Sequence, residues 1–141
     1  VETDDALLVC DMTRSQDVKK LVETLKKEER HEYKFHTRVM RPWGSATTIL
    51  ENTSYRIRML EIQSDKSMSL QSHQKRSEHW VVLEGKADVQ RGDEKVILQK
   101  NESAYIPKGM RHRLGNSGKT TLQIIEVQQG EYLGDDDIER F

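Results

Sequence analysis

Apolar and polar side chains alternate along the middle of the chain, as in strands that bury one face. Tyr55, Ile57 and Met59 alternate with Arg56 and Arg58, and this period of two predicts a half-buried strand. Turn residues separate the predicted strands, and many short strands in this arrangement predict a mainly β sandwich or jelly roll. The further strands are predicted at about 66–71, 79–84, 86–91, 94–99, 103–106, 111–114 and 120–129.

The two ends of the chain have different patterns. The apolar run at 6–10 has the length of a buried strand. Apolar residues at 18, 21, 22 and 25 form the stripe of an amphipathic helix, predicted at about 16–29. Thr13 and Gln16 have the capping-box spacing, and Ser15 is an equally good N-cap. A short terminal helix is predicted at 132–141, because the acidic run 135–137 suits a helix N-terminus.

Length, charge and cysteine content exclude several classes of protein. The 141 residues fit one domain, and a formal net charge of −1 without a long basic run argues against a nucleic-acid partner. No apolar run approaches the roughly 20 residues of a membrane span, and the first residues are not expected to be a signal peptide. The single cysteine, Cys10, allows no intramolecular disulfide, which fits a reducing cytoplasm. We expect Cys10 to be buried at a strand end.

Two polar clusters supply candidate metal ligands. Gln71 and His73 lie two residues apart, so on a strand both side chains leave the same face. Glu78 follows a short turn, and a hairpin there would bring it back toward them. His112 comes just after a predicted turn at 107–109. Two imidazoles, one carboxylate and one amide oxygen suit Zn, Co, Ni, Fe or Mn better than a metal that prefers thiolates.

The spacing of these residues resembles the two signature motifs of the cupins. The first motif is matched by Gln71-x-His73, Glu78 and Gly85. The second motif is matched by Pro107-x-Gly109, His112 and Asn116. Glutamine in place of the first histidine departs from the general cupin pattern, but it is the residue that phosphomannose isomerases use.

Further motifs narrow the resemblance to one family. They are Arg41-Pro42-Trp43-Gly44, the run from Gln71 to Trp80, Asn101-Glu102-Ser103, Tyr105-Ile106-Pro107, His112-Arg113-Leu114 and Tyr132-Leu133-Gly134. In this order they resemble the bifunctional mannose-1-phosphate guanylyltransferase/mannose-6-phosphate isomerases, from about residue 5 to the end. The resemblance implies a cupin double-stranded β-helix (jelly roll), preceded by a short strand and one amphipathic helix.

The same resemblance implies a division of the chain and a function. Residues 1–30 would be the end of an upstream guanylyltransferase domain, and residues 31–141 the cupin isomerase domain. The chain contains no Gly-x-Gly, so the nucleotide loop of the transferase is not expected in it. The implied activity is the metal-dependent interconversion of mannose 6-phosphate and fructose 6-phosphate, in a parent protein that makes GDP-mannose for polysaccharide synthesis.

The resemblance also assigns roles to individual residues. A divalent metal is expected, with Zn as the first choice and Co, Mn, Ni, Fe or Mg as alternatives, and its ligands would be Gln71, His73, Glu78 and His112. Arg76 is expected to be an essential cation that binds either the phosphate or the enediolate. His79 directly follows a ligand and would face the opposite side of its strand, so a structural role is expected. Four further cations are candidates for substrate binding: Lys75, Lys108, Arg111 and Arg113.

The sequence leaves two other functions open. In the first, the cupin is a non-catalytic module for assembly or sugar-phosphate binding, and only the upstream nucleotidyltransferase domain is an enzyme. In the second, the fold carries another chemistry, such as a sugar epimerase or a dioxygenase, although Gln71 and Arg76 argue against it. We expect a cytoplasmic homodimer that pairs through edge strands, with a sugar phosphate as substrate and no nucleic-acid or membrane partner.

Overall fold

The chain divides into two units, Val1–Val39 and Met40–Phe141, each with its own contacts. The computed structural model describes residues 1–2, 7–28 and 37–141. The predicted domain boundary between residues 30 and 31 lies outside the described residues.

In the described residues of the first unit, one α-helix, α1 (Val18–Lys27), directly follows a 3-10 turn at Met12–Asp17. The predicted start of the α-helix at residue 16 is therefore two residues too early. The predicted N-caps, Thr13 and Ser15, are wrong as well. Asp11 caps the 3-10 turn instead, and its carboxylate accepts a hydrogen bond from the backbone N–H of Thr13 at 2.8 Å. The N-cap of α1 itself is Asp17, which makes no side-chain capping hydrogen bond.

The predicted buried strand at 6–10 is wrong. Residue 6 lies outside the described residues, and Leu7 forms only an isolated bridge with Glu2. Val9 is 84% exposed, and Cys10 is exposed rather than buried. An apolar run becomes a buried strand only where a sheet covers it, and no strand of the described residues pairs with residues 8–10.

From residue 37 onward the chain forms short β-strands. They are β1 (Arg38–Arg41), β2 (Gly44–Glu51), β3 (Tyr55–Ile62), β4 (Lys66–Ser67), β5 (Gln71–His73), β6 (Arg76–Glu84), β7 (Ala87–Arg91), β8 (Glu94–Leu98), β9 (Ser103–Ile106), β10 (His112–Asn116), β11 (Leu122–Gly130) and β12 (Ile138–Arg140). The strand predicted at 103–106 is confirmed in full, and most others differ only at their ends. The strand predicted at 66–71 is instead divided into β4 and β5.

The strands form two sheets with a shared core. The first sheet has the order β1-β2-β3-β11-β6-β9, and the second has the order β12-β5-β10-β7-β8, with β4 also paired to β10. The core joins buried side chains from the first sheet, such as Leu60 and Trp80, to Val89 and Leu114 from the second. This arrangement confirms the predicted mainly β jelly roll.

The inner face of the first sheet changes from apolar to polar along its length. At one end Leu60 of β3 lies opposite Ile124 of β11, and both are fully buried. Further along the same face, the register places Arg58 opposite Glu126. The next inward pair is Arg56 and Gln128. Polar side chains therefore gather inside one end of the jelly roll.

The predicted terminal helix at 132–141 is wrong. Asp135–Asp137 form a single 3-10 turn, and β12 then pairs with β5 in antiparallel fashion, with Ile138 opposite His73. An unpaired edge of β5 would leave backbone donors and acceptors without partners inside the protein. This tertiary pairing outweighs the local preference of the acidic run for a helix N-terminus.

We expect Leu60→Ala to lower the free energy of unfolding by about 2–5 kcal/mol, because it leaves a cavity in the shared core. Ile49 of β2 is 57% exposed, so Ile49→Ala is a matched control with an expected change of about 0.5 kcal/mol. Urea unfolding followed by circular dichroism measures both. Equal losses in the two variants would contradict this description of the core.

Candidate metal centre

Three side chains from both sheets meet in the interior. His73 ends β5, Glu78 lies on β6, and His112 begins β10. Their relative exposures are 1%, 1% and 0%. One ligand atom from each lies within 4.8 Å of the others. Nε2 of His73 is 3.0 Å from Oε1 of Glu78, and Nε2 of His112 is 3.8 Å from Oε2 of the same carboxylate.

Three of the polar atoms in this cluster have no hydrogen-bond partner. They are Nε2 of His73, Oε2 of Glu78 and Nε2 of His112, all of them buried. A buried polar atom without a partner costs about 1–3 kcal/mol. A divalent metal bound between the three would satisfy them together, and two imidazoles with one carboxylate form a set that holds Zn in many proteins. The residues present therefore fit a metal.

The Nδ1 atom of each imidazole fixes the orientation and the tautomer of the ring that metal binding through Nε2 requires. Nδ1 of His73 is 2.8 Å from the carbonyl oxygen of Arg76, and Nδ1 of His112 is 2.8 Å from that of Met110. A carbonyl oxygen only accepts, so each Nδ1 carries the proton and donates it. Each Nε2 then has a free lone pair, which is the tautomer that binds a metal through Nε2.

Burial and neighbouring charges set the protonation of the cluster. Burial raises the pKa of the Glu78 carboxyl, but His73, His112 and Arg58 outweigh this and hold the pKa well below its usual range. Burial lowers the pKa of His112 more than the Glu78 carboxylate raises it. Burial also lowers the pKa of His73, but here the Glu78 carboxylate prevails and the pKa is raised. A metal would therefore compete with a proton on His73.

Gln71 lies on the same face as the two histidines. In the β5–β10 ladder it is directly opposite His112, and it is two residues from His73. Its relative exposure is 6%. Residues at these positions share one face of a sheet, so the amide is placed beside the cluster. Its role as a fourth ligand stays a prediction.

Arg76 is buried beside the cluster, with a relative exposure of 1%. Its Nε is 3.4 Å from Oε1 of Glu78, and its Nη1 donates to the carbonyl oxygen of Gly134 at 2.9 Å. Its strand also passes close to Gly130 of β11. A Cβ atom at Gly130 would lie 2.2 Å from the carbonyl oxygen of Lys75 and 2.7 Å from Cα of Arg76. Glycine at this position therefore permits the local path of β6.

A polar network next to the cluster was missed by the sequence reasoning. Nε2 of Gln128 donates to Oε1 of Glu78 at 2.9 Å. Glu126 accepts from Nε of Arg58 at 2.5 Å and from Nε1 of Trp80 at 3.3 Å. The period of two in β11 could have revealed these residues, because the alternation that buries Leu122 and Ile124 also buries Glu126 and Gln128.

Two of the predicted substrate-binding cations contact the C-terminal end of the chain. Nζ of Lys75 lies 4.9 Å from the centroid of the Tyr132 ring. The guanidinium carbon of Arg111 lies 3.9 Å from the centroid of the Phe141 ring. Both cations are exposed, so the structure places them outside the buried cluster.

The other two cations lie away from the ligand atoms. Lys108 is exposed in the turn after β9. Arg113 directly follows His112, so its side chain leaves the opposite face of β10, where it donates to Gln90 at 3.0 Å. His79 likewise faces away from Glu78, is exposed, and packs on Tyr105 with ring centroids 4.6 Å apart.

The sequence matches the family described as "Mannose-6-phosphate isomerase C-terminal" over residues 28–141. The chain belongs to this family. It is 47% identical over 141 residues to the Xanthan biosynthesis protein XanB of Xanthomonas campestris pv. campestris, covering 100% of this chain and 30% of the relative. It is 44% identical over 140 residues to Mannose-1-phosphate guanylyltransferase RfbM of Salmonella typhimurium, covering 99% and 29%. The chain thus spans about 30% of the length of these curated relatives.

Solved structures of cupins share the fold of this mannose-6-phosphate isomerase C-terminal domain. The cupin domain of Cnp3 from Schizosaccharomyces pombe matches with a TM-score of 0.59 at 14% identity, over 61% of this chain and 64% of that one. A sugar phosphate isomerase of the cupin superfamily from Silicibacter pomeroyi matches with a TM-score of 0.55 at 14% identity, over 60% and 58%. These matches confirm the predicted cupin fold. No helix in the described part of the chain is long and apolar enough to cross a membrane.

We expect His112→Ala to weaken the binding of Zn or Co by more than about 100-fold. Mutating only the residues that hydrogen-bond to a metal ligand already lowers metal affinity by about 10–100-fold. His79→Ala, on the outer face of β6, is the matched control and should bind as the unchanged chain does. Competition with a chromophoric chelator measures the affinity, which should fall as the pH drops because His73 takes up a proton. Equal affinities for the two variants would place the metal elsewhere.

Proposed function

We propose that this domain is a metal-dependent isomerase that interconverts mannose 6-phosphate and fructose 6-phosphate. The observation that carries the proposal is the convergence of unsatisfied ligand atoms from His73, Glu78 and His112 beside a buried Arg76. Membership of the mannose-6-phosphate isomerase C-terminal family supports mannose 6-phosphate as the substrate. The Silicibacter cupin is named a sugar phosphate isomerase, which agrees with a substrate of this chemical class. In a longer protein the domain would act beside a mannose-1-phosphate guanylyltransferase, the activity for which the Salmonella relative is named.

The reaction moves one proton between C2 and C1 of the open-chain sugar and a second proton between the oxygens on these carbons, and it passes through an enediol. A bound divalent ion would supply Lewis acidity toward the sugar oxygens, with Zn as our first choice and Co, Mn, Ni, Fe or Mg as alternatives. The Nδ1 hydrogen bonds of His73 and His112 hold both rings in the orientation that ligation needs. Of the three clustered ligands only Glu78 carries a negative charge, so this set does not neutralise a divalent ion.

Arg76 supplies a permanent positive charge beside the metal cluster. Its guanidinium is buried, and charges interact more strongly where water is excluded. A preorganised cation at such a position stabilises negative charge on the substrate.

The proton transfer needs a group close to the metal that is not a ligand. Among the described residues, Glu126 is the one buried carboxylate besides Glu78. It lies opposite Trp80 in the β6–β11 ladder, two residues from the position opposite Glu78, so the two carboxylates are diagonal neighbours on the inner face. Hydrogen bonds from Arg58 and Trp80 hold it there. We therefore assign the proton transfer to Glu126.

We expect the purified chain, stripped with EDTA and reloaded with Zn, Co, Mn or Mg, to convert mannose 6-phosphate into fructose 6-phosphate. His112→Ala should abolish the activity because a ligand is lost, and Arg76→Ala should lower kcat/KM by about 100-fold or more. Lys100→Ala is the control, since Lys100 pairs with the exposed Glu84 at the far end of β6.

Absence of turnover with every metal, in a folded and metal-loaded chain, would contradict the proposal and favour a non-catalytic cupin module. The same assay on the longer parent protein would then show whether the site needs the rest of the protein.

We expect Glu126→Gln to keep its metal but to lose exchange of the C2 hydrogen with solvent deuterium, because glutamine keeps the shape of glutamate but cannot take up the proton. Nuclear magnetic resonance of mannose 6-phosphate in D₂O measures the exchange, and metal analysis shows that the site is intact. Glu84→Gln, a change at an exposed carboxylate, should exchange normally. Unaltered exchange in Glu126→Gln would remove this residue from the mechanism.

A further inference from the structure

Two arginines at the polar end of the first sheet donate to consecutive carbonyl oxygens near the C-terminus. Nη1 of Arg56 is 3.0 Å from the carbonyl oxygen of Leu133, and Nη1 of Arg76 is 2.9 Å from that of Gly134. Consecutive Cα atoms are about 3.8 Å apart, so the two guanidinium groups reach neighbouring points in space.

We propose that Arg56 and Arg76 bind the phosphate group of the sugar phosphate, and that the C-terminal strap, residues 132–141, must release them first. The proposal rests on the proposed function, because it names the part of that substrate which these residues recognise. A phosphate offers several acceptor oxygens on one centre, and arginine presents its donors in the planar fork that matches them.

The two arginines come from the strands on either side of β11. Arg56 lies opposite Gln128 in the β3–β11 ladder, and Arg76 lies opposite Gly130 in the β6–β11 ladder. Gly130 has no side chain, so no side chain projects from β11 at the position opposite Arg76. A Cβ atom there would lie 2.7 Å from Cα of Arg76, so glycine lets β6 bring Arg76 close to β11, on the side opposite Arg56.

Arg56 has a donor that nothing in the closed structure satisfies. Its Nε is buried and has no hydrogen-bond partner. Its Nη1 is also 3.5 Å from Oε1 of Gln128, at the limit of a hydrogen bond. Its Nη2 pairs at 2.7 Å with Glu51, whose side chain is 44% exposed. A buried donor without an acceptor is costly, and a phosphate oxygen would supply the missing acceptor.

Arg76 contacts the metal cluster directly, and Arg56 is linked to it through Gln128. Nε of Arg76 is 3.4 Å from Oε1 of Glu78, and Gln128, which contacts Arg56, donates to the same oxygen. The phosphate on C6 and the reacting carbons C1 and C2 lie at opposite ends of the substrate. An anion site that adjoins the metal without including its ligands is the arrangement that this substrate needs.

The charges at this end of the jelly roll favour an anion. Arg58 is already paired with Glu126, whereas Arg56 and Arg76 face Glu78 and the half-exposed Glu51. The carboxylates of the acidic run 135–137 also act here, since Asp136 interacts with Arg76 and Asp135 with Arg58. Once the strap that carries them is displaced, a divalent ion beside Glu78 would leave the region with net positive charge, which attracts a phosphate dianion.

The strap closes the site in this structure. Its strand β12 pairs with β5, and the Asp137 carboxylate accepts from the backbone N–H of Lys75 at 3.0 Å. The backbone N–H of Phe141 donates to the carbonyl oxygen of Leu70 at 2.9 Å. With the strap in place the metal ligands are fully buried, and its carbonyl oxygens occupy the donors that a phosphate would use. Phosphate and the closed strap therefore compete.

Isothermal titration of the intact chain with inorganic phosphate tests the site, with and without Zn. Arg56→Ala and Arg76→Ala should each weaken phosphate binding by about tenfold or more, because each removes charge-assisted hydrogen bonds. Lys100→Ala is the control for the loss of one positive charge. Arg56→Ala should also raise KM for mannose 6-phosphate more than it lowers kcat, and its metal content should be unchanged.

A second pair of variants tests the competition with the strap. Asp137→Ala and Asp137→Asn remove the same negative charge, but only asparagine keeps an acceptor for the N–H of Lys75. We expect phosphate to bind more tightly to Asp137→Ala than to Asp137→Asn, because only alanine loosens the strap. A merely structural role for the arginines would not produce this difference.

The phosphate site would be overturned if both arginine variants bound phosphate as the unchanged chain does, or if phosphate binding depended on Zn alone. This conclusion would hold even if the chain proved to be an active isomerase. Weaker phosphate binding in these variants, combined with no isomerase activity in the unchanged, metal-loaded chain, would support the phosphate site and contradict the isomerase proposal. Equal affinities in the two Asp137 variants would overturn the competition with the strap.

Discussion

The buried carboxylate of Glu78 is the constraint on which the polar interior depends. A carboxylate without partners in a protein core is very costly, so its surroundings must supply donors and positive charge. Gln128 of β11 donates to one oxygen, and Arg76 approaches the same oxygen from β6 itself. The other oxygen faces His112 of the second sheet and has no hydrogen-bond partner. Compensating this single charge thus involves both sheets, and a divalent ion would complete the compensation.

Stability and chemistry occupy opposite ends of the same jelly roll. The apolar end supplies the burial that holds the sheets together, whereas the polar end contains groups that reduce stability unless each is paired. The pair formed by Arg58 and Glu126 illustrates the second case, since a buried ion pair contributes little net stability compared with apolar residues of similar volume. Such a pair fixes the position of Glu126, and position is what a catalytic carboxylate requires.

The sequence predicted the features of the fold and the site that depend on local pattern. The period of two located most strands, and the spacing of His73, Glu78 and His112 singled out residues that the structure brings together. Arg56 and Gln128 were not predicted as site residues. Their position at the site comes from the pairing of β3 and β11 with β6, which no short stretch of sequence encodes. The terminal segment was predicted as a helix for the same reason: its acidic residues favour a helix start, but the open edge of β5 offers a stronger set of partners.

The closed strap connects burial of the cluster to the choice of substrate. Its carbonyl oxygens make charge-assisted hydrogen bonds with Arg56 and Arg76, so only an acceptor of comparable strength can replace them without a net loss. A neutral sugar hydroxyl is a weaker acceptor than a phosphate dianion. If the strap must leave before the metal is reached, the phosphate is needed for access as well as for binding. Discrimination against unphosphorylated sugars would then come from the arginines and the strap, and the metal would be free to act on the other end of the substrate.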